Sequence, residues 1–274
     1  MLCYRIFRFK LATEVAQVEL ETPALAVLRA VLRQAFLPIF GADAIPTDLQ
    51  LEVCRRAGAG VIEYTQRRAD AGETIPRLCR EGEFTVVAGS VLDDDATVTA
   101  LKTRFPQLRT VRELVAAGVA GLISRTSFKR ETLAELRRTH LLAPCAGTVN
   151  EAFELFAAGA QLVKIVRPDY AVLKQLGTTP LFNFAPVFIT GGMNEISLPE
   201  AMADGAAVAA AGFDVLVPDG EKLAPELYCA TAAARLRRLI ELARECREKR
   251  FPGISAALEA PDWFRRMPFA VRAE

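Results

Sequence analysis

The chain has 274 residues, 51% hydrophobic and 24% charged, a balance that suits a folded interior and excludes wholesale disorder. Lysine and arginine total 34 against 33 acidic residues, with no long block of either sign, so the charge carries no footprint for nucleic acid or an anionic membrane. Six cysteines lie scattered without a CxxC pair and the one histidine, His140, has no ligand neighbour in sequence, which argues against a closed zinc site and against a disulfide framework.

Residues 1–10 (MLCYRIFRFK) are interrupted by Arg5, Arg8 and Lys10 before a signal-peptide core or a membrane span can form; the expectation is a cytoplasmic protein. Residues 1–34 read as an N-terminal extension holding a short strand and then a helix over Ala24–Arg33. From Ala35 onward, short apolar runs alternate with amphipathic stretches. The runs are 35–40 (AFLPIF), 60–65 (GVIEYT), 84–89 (FTVVAG), 120–124 (AGLIS), 140–146 (HLLAPCA), 160–166 (AQLVKIV), 186–190 (PVFIT) and 207–212 (AVAAAG). Stretches such as 48–57, 129–138, 149–158 and 194–203 between them have the length and spacing of crossover helices.

Parallel strands need such crossovers and are buried on both faces, which is why they read as continuous apolar runs. Ala57-Gly58, Ala117-Gly118, Ala158-Gly159 and Asp204-Gly205 stand at helix ends just ahead of strands, where glycine takes the left-handed conformation without penalty. Eight units allow the sheet to close, so the expected fold is a (β/α)8 TIM barrel over 35–249 as a single domain. A long Arg-rich helix at 224–250 ends it. Residues 250–274, with Trp263, form a C-terminal tail expected to pack over one barrel end or against a partner subunit.

Two charged residues interrupt the apolar runs. Lys164 lies inside Gln161-Leu-Val-Lys-Ile-Val166 and Glu63 inside Val61-Ile-Glu-Tyr-Thr65, positions where a charge carries a desolvation cost unless it is paired or used. Burial disfavours the ammonium form of lysine, and the neutral amine attacks carbonyls to form a Schiff base. A nearby carboxylate can then move protons. A lysine paired with an acid, or a glutamate paired with Lys164 or Arg67, accounts for the same residues. Arg67 follows Glu63 where the strand gives way to its loop, Ser90 ends the third run with a hydroxyl, and Thr190-Gly191-Gly192 ends the seventh, where glycines let backbone N–H groups approach an anion or simply make a tight turn. Cys145 has no histidine base close in sequence on a plausible catalytic spacing and reads as a packing residue.

In this order, Glu63-Tyr-Thr-Gln-Arg67, Gly89-Ser-Val-Leu92, Val163-Lys164 and Thr190-Gly-Gly192 resemble the 2-keto-3-deoxy-6-phosphogluconate (KDPG)/4-hydroxy-2-oxoglutarate (KHG) aldolase family, over about residues 35–218. The resemblance implies a (β/α)8 barrel, commonly trimeric, that reversibly cleaves a 2-keto-4-hydroxy acid to pyruvate and an aldehyde with no metal and no cofactor. Its small-molecule partner is then a keto acid, with neither nucleic acid nor membrane. By position Lys164 matches the Schiff-base lysine, Glu63 the general acid/base and Arg67 the arginine that meets the substrate carboxylate. Ser90 stands where the family usually has threonine, and Thr190, Gly191 and Gly192 match the substrate and phosphate loop.

The chain also departs from that pattern. Lys164-Ile-Val-Arg167-Pro168 replaces Lys-Phe-Phe-Pro or Lys-Leu-Phe-Pro, Ala211-Gly212-Phe213 replaces Gly-Gly-Ser, and Arg125 stands where proline is common. An insertion between Asp95 and Glu113 is expected to lengthen the helix after the third strand. Loss of a phosphate-binding hydroxyl at Phe213, with cations added at Arg125 and Arg167, leaves the keto-acid end of the site intact and alters the aldehyde end. The alternative reading is a catalytically silent barrel acting as an anion-binding or assembly module.

Overall fold

The computed structural model describes residues 21–41, 44–166, 169–178 and 185–271. The strand and helix expected within residues 1–34 are therefore described only from Glu21, and Arg167 lies outside the described residues.

Eight parallel strands form one sheet: β1 (Phe36–Phe40), β2 (Val61–Thr65), β3 (Thr85–Val91), β4 (Gly121–Ser124), β5 (Leu141–Ala143), β6 (Val163–Val166), β7 (Val187–Thr190) and β8 (Ala206–Gly212). They are ordered β5-β4-β3-β2-β1-β8-β7-β6. The two ends meet at a single bridge between Cys145 and Lys164. Lys164 N donates to Pro144 O at 2.8 Å and Ala146 N donates to Lys164 O at 2.9 Å, so the sheet closes into the expected (β/α)8 barrel.

Helices alternate with the strands: α1 (Pro23–Gln34), α2 (Thr47–Ala57), α3 (Ala71–Glu81), α4 (Asp95–Leu101), α5 (Val111–Ala116), α6 (Arg130–Leu136), α7 (Val149–Ala158), α8 (Tyr170–Thr178), α9 (Ser197–Ala203), α10 (Phe213–Leu216), α11 (Pro225–Arg250) and α12 (Ile254–Glu259). Local chemistry sets their limits. Thr22 caps α1 by accepting from Leu25 N, with Pro23 at the first helical position, where its missing N–H costs nothing. Thr148 accepts from Glu151 N at the start of α7, and Gly159 ends it at φ 117°, a backbone setting open to glycine.

One expectation is corrected. The insertion after β3 makes two short helices, α4 and α5, instead of one long one. Pro106 in the connection lacks an N–H, and Thr110 restarts the helix through a reciprocal capping box with Glu113, which satisfies two otherwise orphaned donors.

The strand residues sort by their alternation. Val163, Ile165 and Ile189 face the helices and belong to the outer core. Leu162, Phe188, Val61 and Val208 belong to a second core inside the barrel. That inner core continues into α1 (Leu25, Leu28, Leu32), α12 (Ile254, Leu258) and the tail (Trp263, Phe264, Phe269), so the two terminal segments together plug the end of the barrel at which the strands begin. Trp263 is fully buried and its indole donates to Glu21 at 2.6 Å. Arg247 of α11 is buried as well and donates to the carbonyls of Leu32 and Ala207; burial holds its pKa down at about 10. No helix among the described residues is long and apolar enough to cross a membrane.

Candidate active site

At the opposite end of the barrel the strand C-termini surround a cavity of about 500 Å³, the end at which barrels of this kind carry their chemistry. The alternation that puts Leu162 and Val61 in the inner core puts Lys164 and Glu63 one layer above them. Phe188, opposite Lys164 in the β6–β7 register, forms the floor beneath, its ring centroid 5.4 Å from Lys164 Nζ. The seven residues to which the sequence reading gives a catalytic or substrate-binding role line this one cavity: Lys164, Glu63, Arg67, Ser90, Thr190, Gly191 and Gly192.

Lys164 Nζ lies 3.6 Å from Glu63 Oε1, with the two side chains 5% and 2% exposed. Glu63 Oε2 has no hydrogen-bond partner. A buried charge is normally fully satisfied, so this carboxylate keeps an accepting oxygen free beside an amine. Gly89 makes the arrangement fit. A Cβ at position 89 would overlap the Glu63 carboxylate and come within 2.8 Å of its Cγ. Gly→Ala in a strand ordinarily raises stability slightly by restricting the unfolded chain. Here we expect Gly89→Ala to lower it by about 1–3 kcal/mol through overpacking and, by displacing Glu63, to reduce turnover about tenfold or more. Thermal melts and steady-state kinetics check this, and a variant matching the parent in both would show that Gly89 has no part in placing Glu63.

Arg67 is exposed at the rim on a loop anchored by its neighbours. Arg68 is buried, donating to the carbonyls of Gly41 and Ile45 and to Gln50, Thr47 and Asp70. Asp70 also accepts from Tyr64 and Thr47, each at 2.8 Å. Partial burial pushes the Asp70 carboxyl up, but the bonds from Thr47 and Tyr64 with the charge of Arg68 outweigh this and hold it below its ordinary value. Ser90 adopts φ 58°, a left-handed conformation that non-glycine residues rarely hold and that recurs at functional sites. Gly191 and Gly192, at φ 105° and 71°, turn the chain at the end of β7 in a manner that demands glycine.

Arg125, expected as an added cation, lines the cavity, and so does Gly212, whereas Phe213 does not; Asp214 and Val215, which the sequence reading passed over, line it as well. Phe213 is fully buried and packs edge-on against Phe40 with ring centroids 5.1 Å apart, so Asp214 is the charged side chain that this loop presents to the cavity. Cys145 contributes its backbone to the barrel seam, and burial pushes its thiol up, opposite to what a nucleophilic cysteine needs. His140 is held down by burial and bonds Thr139, away from the cavity. No group of three or more His, Cys, Asp or Glu that could hold a metal occurs among the described residues.

No protein-family model and no curated protein sequence matches the chain. Solved structures do. A 2-keto-3-deoxy-6-phosphogluconate aldolase of Zymomonas mobilis, solved with 3-phosphoglycerate, is 20% identical, covering 78% of this chain and 94% of its own, with a TM-score of 0.57. A KDPG aldolase from Legionella pneumophila, captured with pyruvate as a covalent carbinolamine, is 20% identical over 80% of this chain and 97% of its own, at a TM-score of 0.51. A thiamine phosphate pyrophosphorylase from Pyrococcus furiosus is 15% identical over 80% and 98%, at a TM-score of 0.54. Such identities speak to architecture, and one architecture hosts unrelated chemistries. With its closed ring of eight parallel strands, the chain is a (β/α)8 barrel of the fold that the KDPG aldolases share.

Proposed function

We propose that the protein is a class I aldolase of the KDPG/KHG type, which reversibly cleaves a 2-keto-4-hydroxy acid to pyruvate and an aldehyde. The observation that carries the reading is the buried Lys164–Glu63 pair, 3.6 Å apart, at the C-terminal end of the strands. The fold likeness to KDPG aldolases supports it, one of them trapped as a pyruvate carbinolamine. The thiamine phosphate neighbour shares the fold, so it is the site, more than the architecture, that supports an aldolase.

In this mechanism the Lys164 amine adds to the C2 carbonyl of the keto acid, and loss of water from the carbinolamine leaves a protonated imine. Glu63 takes the proton from the C4 hydroxyl as the C3–C4 bond breaks; the bonding pair flows into the iminium to give an enamine, and the aldehyde departs. Glu63 then returns a proton to C3. Water hydrolyses the imine, releasing pyruvate and restoring the amine. Arg67 meets the substrate carboxylate through charge-assisted hydrogen bonds, Ser90 adds a hydroxyl on the same side, and the Thr190-Gly191-Gly192 turn faces the rest of the substrate. The barrel over 35–249 holds all of these residues, the segments 1–34 and 250–274 flank it, and a trimer is the assembly that the resemblance brings with it.

Borohydride reduction in the presence of pyruvate, followed by peptide mass spectrometry, tests the proposal. The expected result is a reduced pyruvyl adduct on Lys164. Folded protein whose Lys164 stays unmodified would remove the aldolase reading and favour a barrel that binds anions without turnover.

A further inference from the structure

The cavity's charges are divided between two arcs of the barrel mouth. Arg67 and Arg125 follow β2 and β4, with Ser90 between them on β3, and Lys164 stands on β6. The opposite arc, from β7 through β8 to β1, supplies no cation: residues 191–196, 212–218 and 41–46 contain neither lysine nor arginine. What this arc presents instead is a carboxylate. Asp214 is exposed and lines the cavity beside Gly191, Gly192 and Gly212. It folds back over the loop so that a Cβ built on Gly212 would run into its Oδ1.

This placement bears on the half of the substrate that the keto-acid chemistry does not read. On the aldolase reading a keto acid sets its carboxylate towards Arg67 and its C2 at Lys164, and the cavity that its remaining carbons enter is also lined by Thr190, Gly191, Gly192, Gly212 and Asp214. A terminal phosphate there meets no counter-charge from these loops, and Asp214 already fills the first turn of α10 with negative charge, so the two like charges repel. A hydroxyl group has the complementary character. It donates to the Asp214 carboxylate while its oxygen accepts from a backbone N–H of the glycine turn.

We infer that Asp214 determines specificity, selecting an uncharged polyhydroxy aldehyde and excluding a phosphorylated one at the end of the cavity bounded by β7 and β8. The inference rests on the aldolase reading above. It also relocates the altered aldehyde end of the site from Phe213, which is buried, to the residue that follows it.

The test uses the full-length protein and its Asp214→Asn variant. Pyruvate trapping with borohydride comes first, then condensation of pyruvate with D-glyceraldehyde and with D-glyceraldehyde 3-phosphate. The ratio of the two kcat/KM values is taken within each protein, so a general loss of activity cancels. The parent is expected to favour D-glyceraldehyde by about tenfold or more, and Asp214→Asn to shift the ratio towards the phosphate by a similar factor. A parent that prefers the phosphorylated aldehyde, condensation with neither aldehyde, or a ratio unmoved by Asp214→Asn overturns the inference while an adduct on Lys164 leaves the aldolase reading standing. Absence of the adduct removes both.

Discussion

Lys164→Ala is expected to abolish aldol turnover, by about four orders of magnitude or more, because among the described residues that line the cavity no other group can form the imine that accepts the electrons of the breaking C3–C4 bond. The substitution also leaves Glu63 buried without its partner, 3.6 Å away in the parent, and breaking such a pair from one side costs about 3–5 kcal/mol. A second variant separates chemistry from folding. Lys164→Arg retains a cation beside Glu63 but brings a guanidinium that stays protonated and cannot add to a carbonyl. Both variants are expected to lose turnover and borohydride trapping, and circular dichroism with thermal melts establishes whether each is folded. Turnover within tenfold of the parent in either folded variant would end the Schiff-base assignment.

Glu63→Gln is expected to lower kcat by about 10²–10⁴-fold, the usual worth of a positioned acid/base. The amide keeps the volume and still reaches Lys164, so the cavity retains its shape. It cannot take up the C4 hydroxyl proton. The unpartnered Oε2 of the parent is the atom that the substrate finds free, and the amide puts a donor or a far weaker base there. The distinguishing measurement is a single turnover with pyruvate alone and then with the full substrate. Adduct formation should survive in Glu63→Gln while the cleavage step slows; equal slowing of both would make Glu63 a partner of the amine and nothing more.

Much of this arrangement could be read in the sequence because burial leaves a plain trace. Strands covered on both faces show as uninterrupted apolar runs, so all eight could be placed, and a lysine or glutamate inside such a run stands out. The ends of the strands are less legible. The run 140–146 predicts a long fifth strand, yet β5 is Leu141–Ala143, since Pro144 has no N–H to give the ladder. The space that Gly89 leaves for Glu63 depends on the register of β3 against β2, which pairs Gly89 with Thr65, and nothing in Val87-Ala-Gly-Ser90 announces it. Asp214 looks like any acid in a first helical turn, and only the closed barrel reveals that it faces the same cavity as Lys164.

The seam between β5 and β6 ties catalysis to the completion of the ring. Two of the backbone hydrogen bonds that cross it, from Lys164 N to Pro144 O and from Ala146 N to Lys164 O, belong to the lysine itself, beside one from Leu162 N to Leu142 O, while Glu63 comes from the far half of the barrel. An unclosed precursor with either half already shaped holds one member of the pair without the other. During refolding, recovered cleavage of the full substrate, which needs both residues, therefore times the moment of ring closure, separately from the return of helix signal.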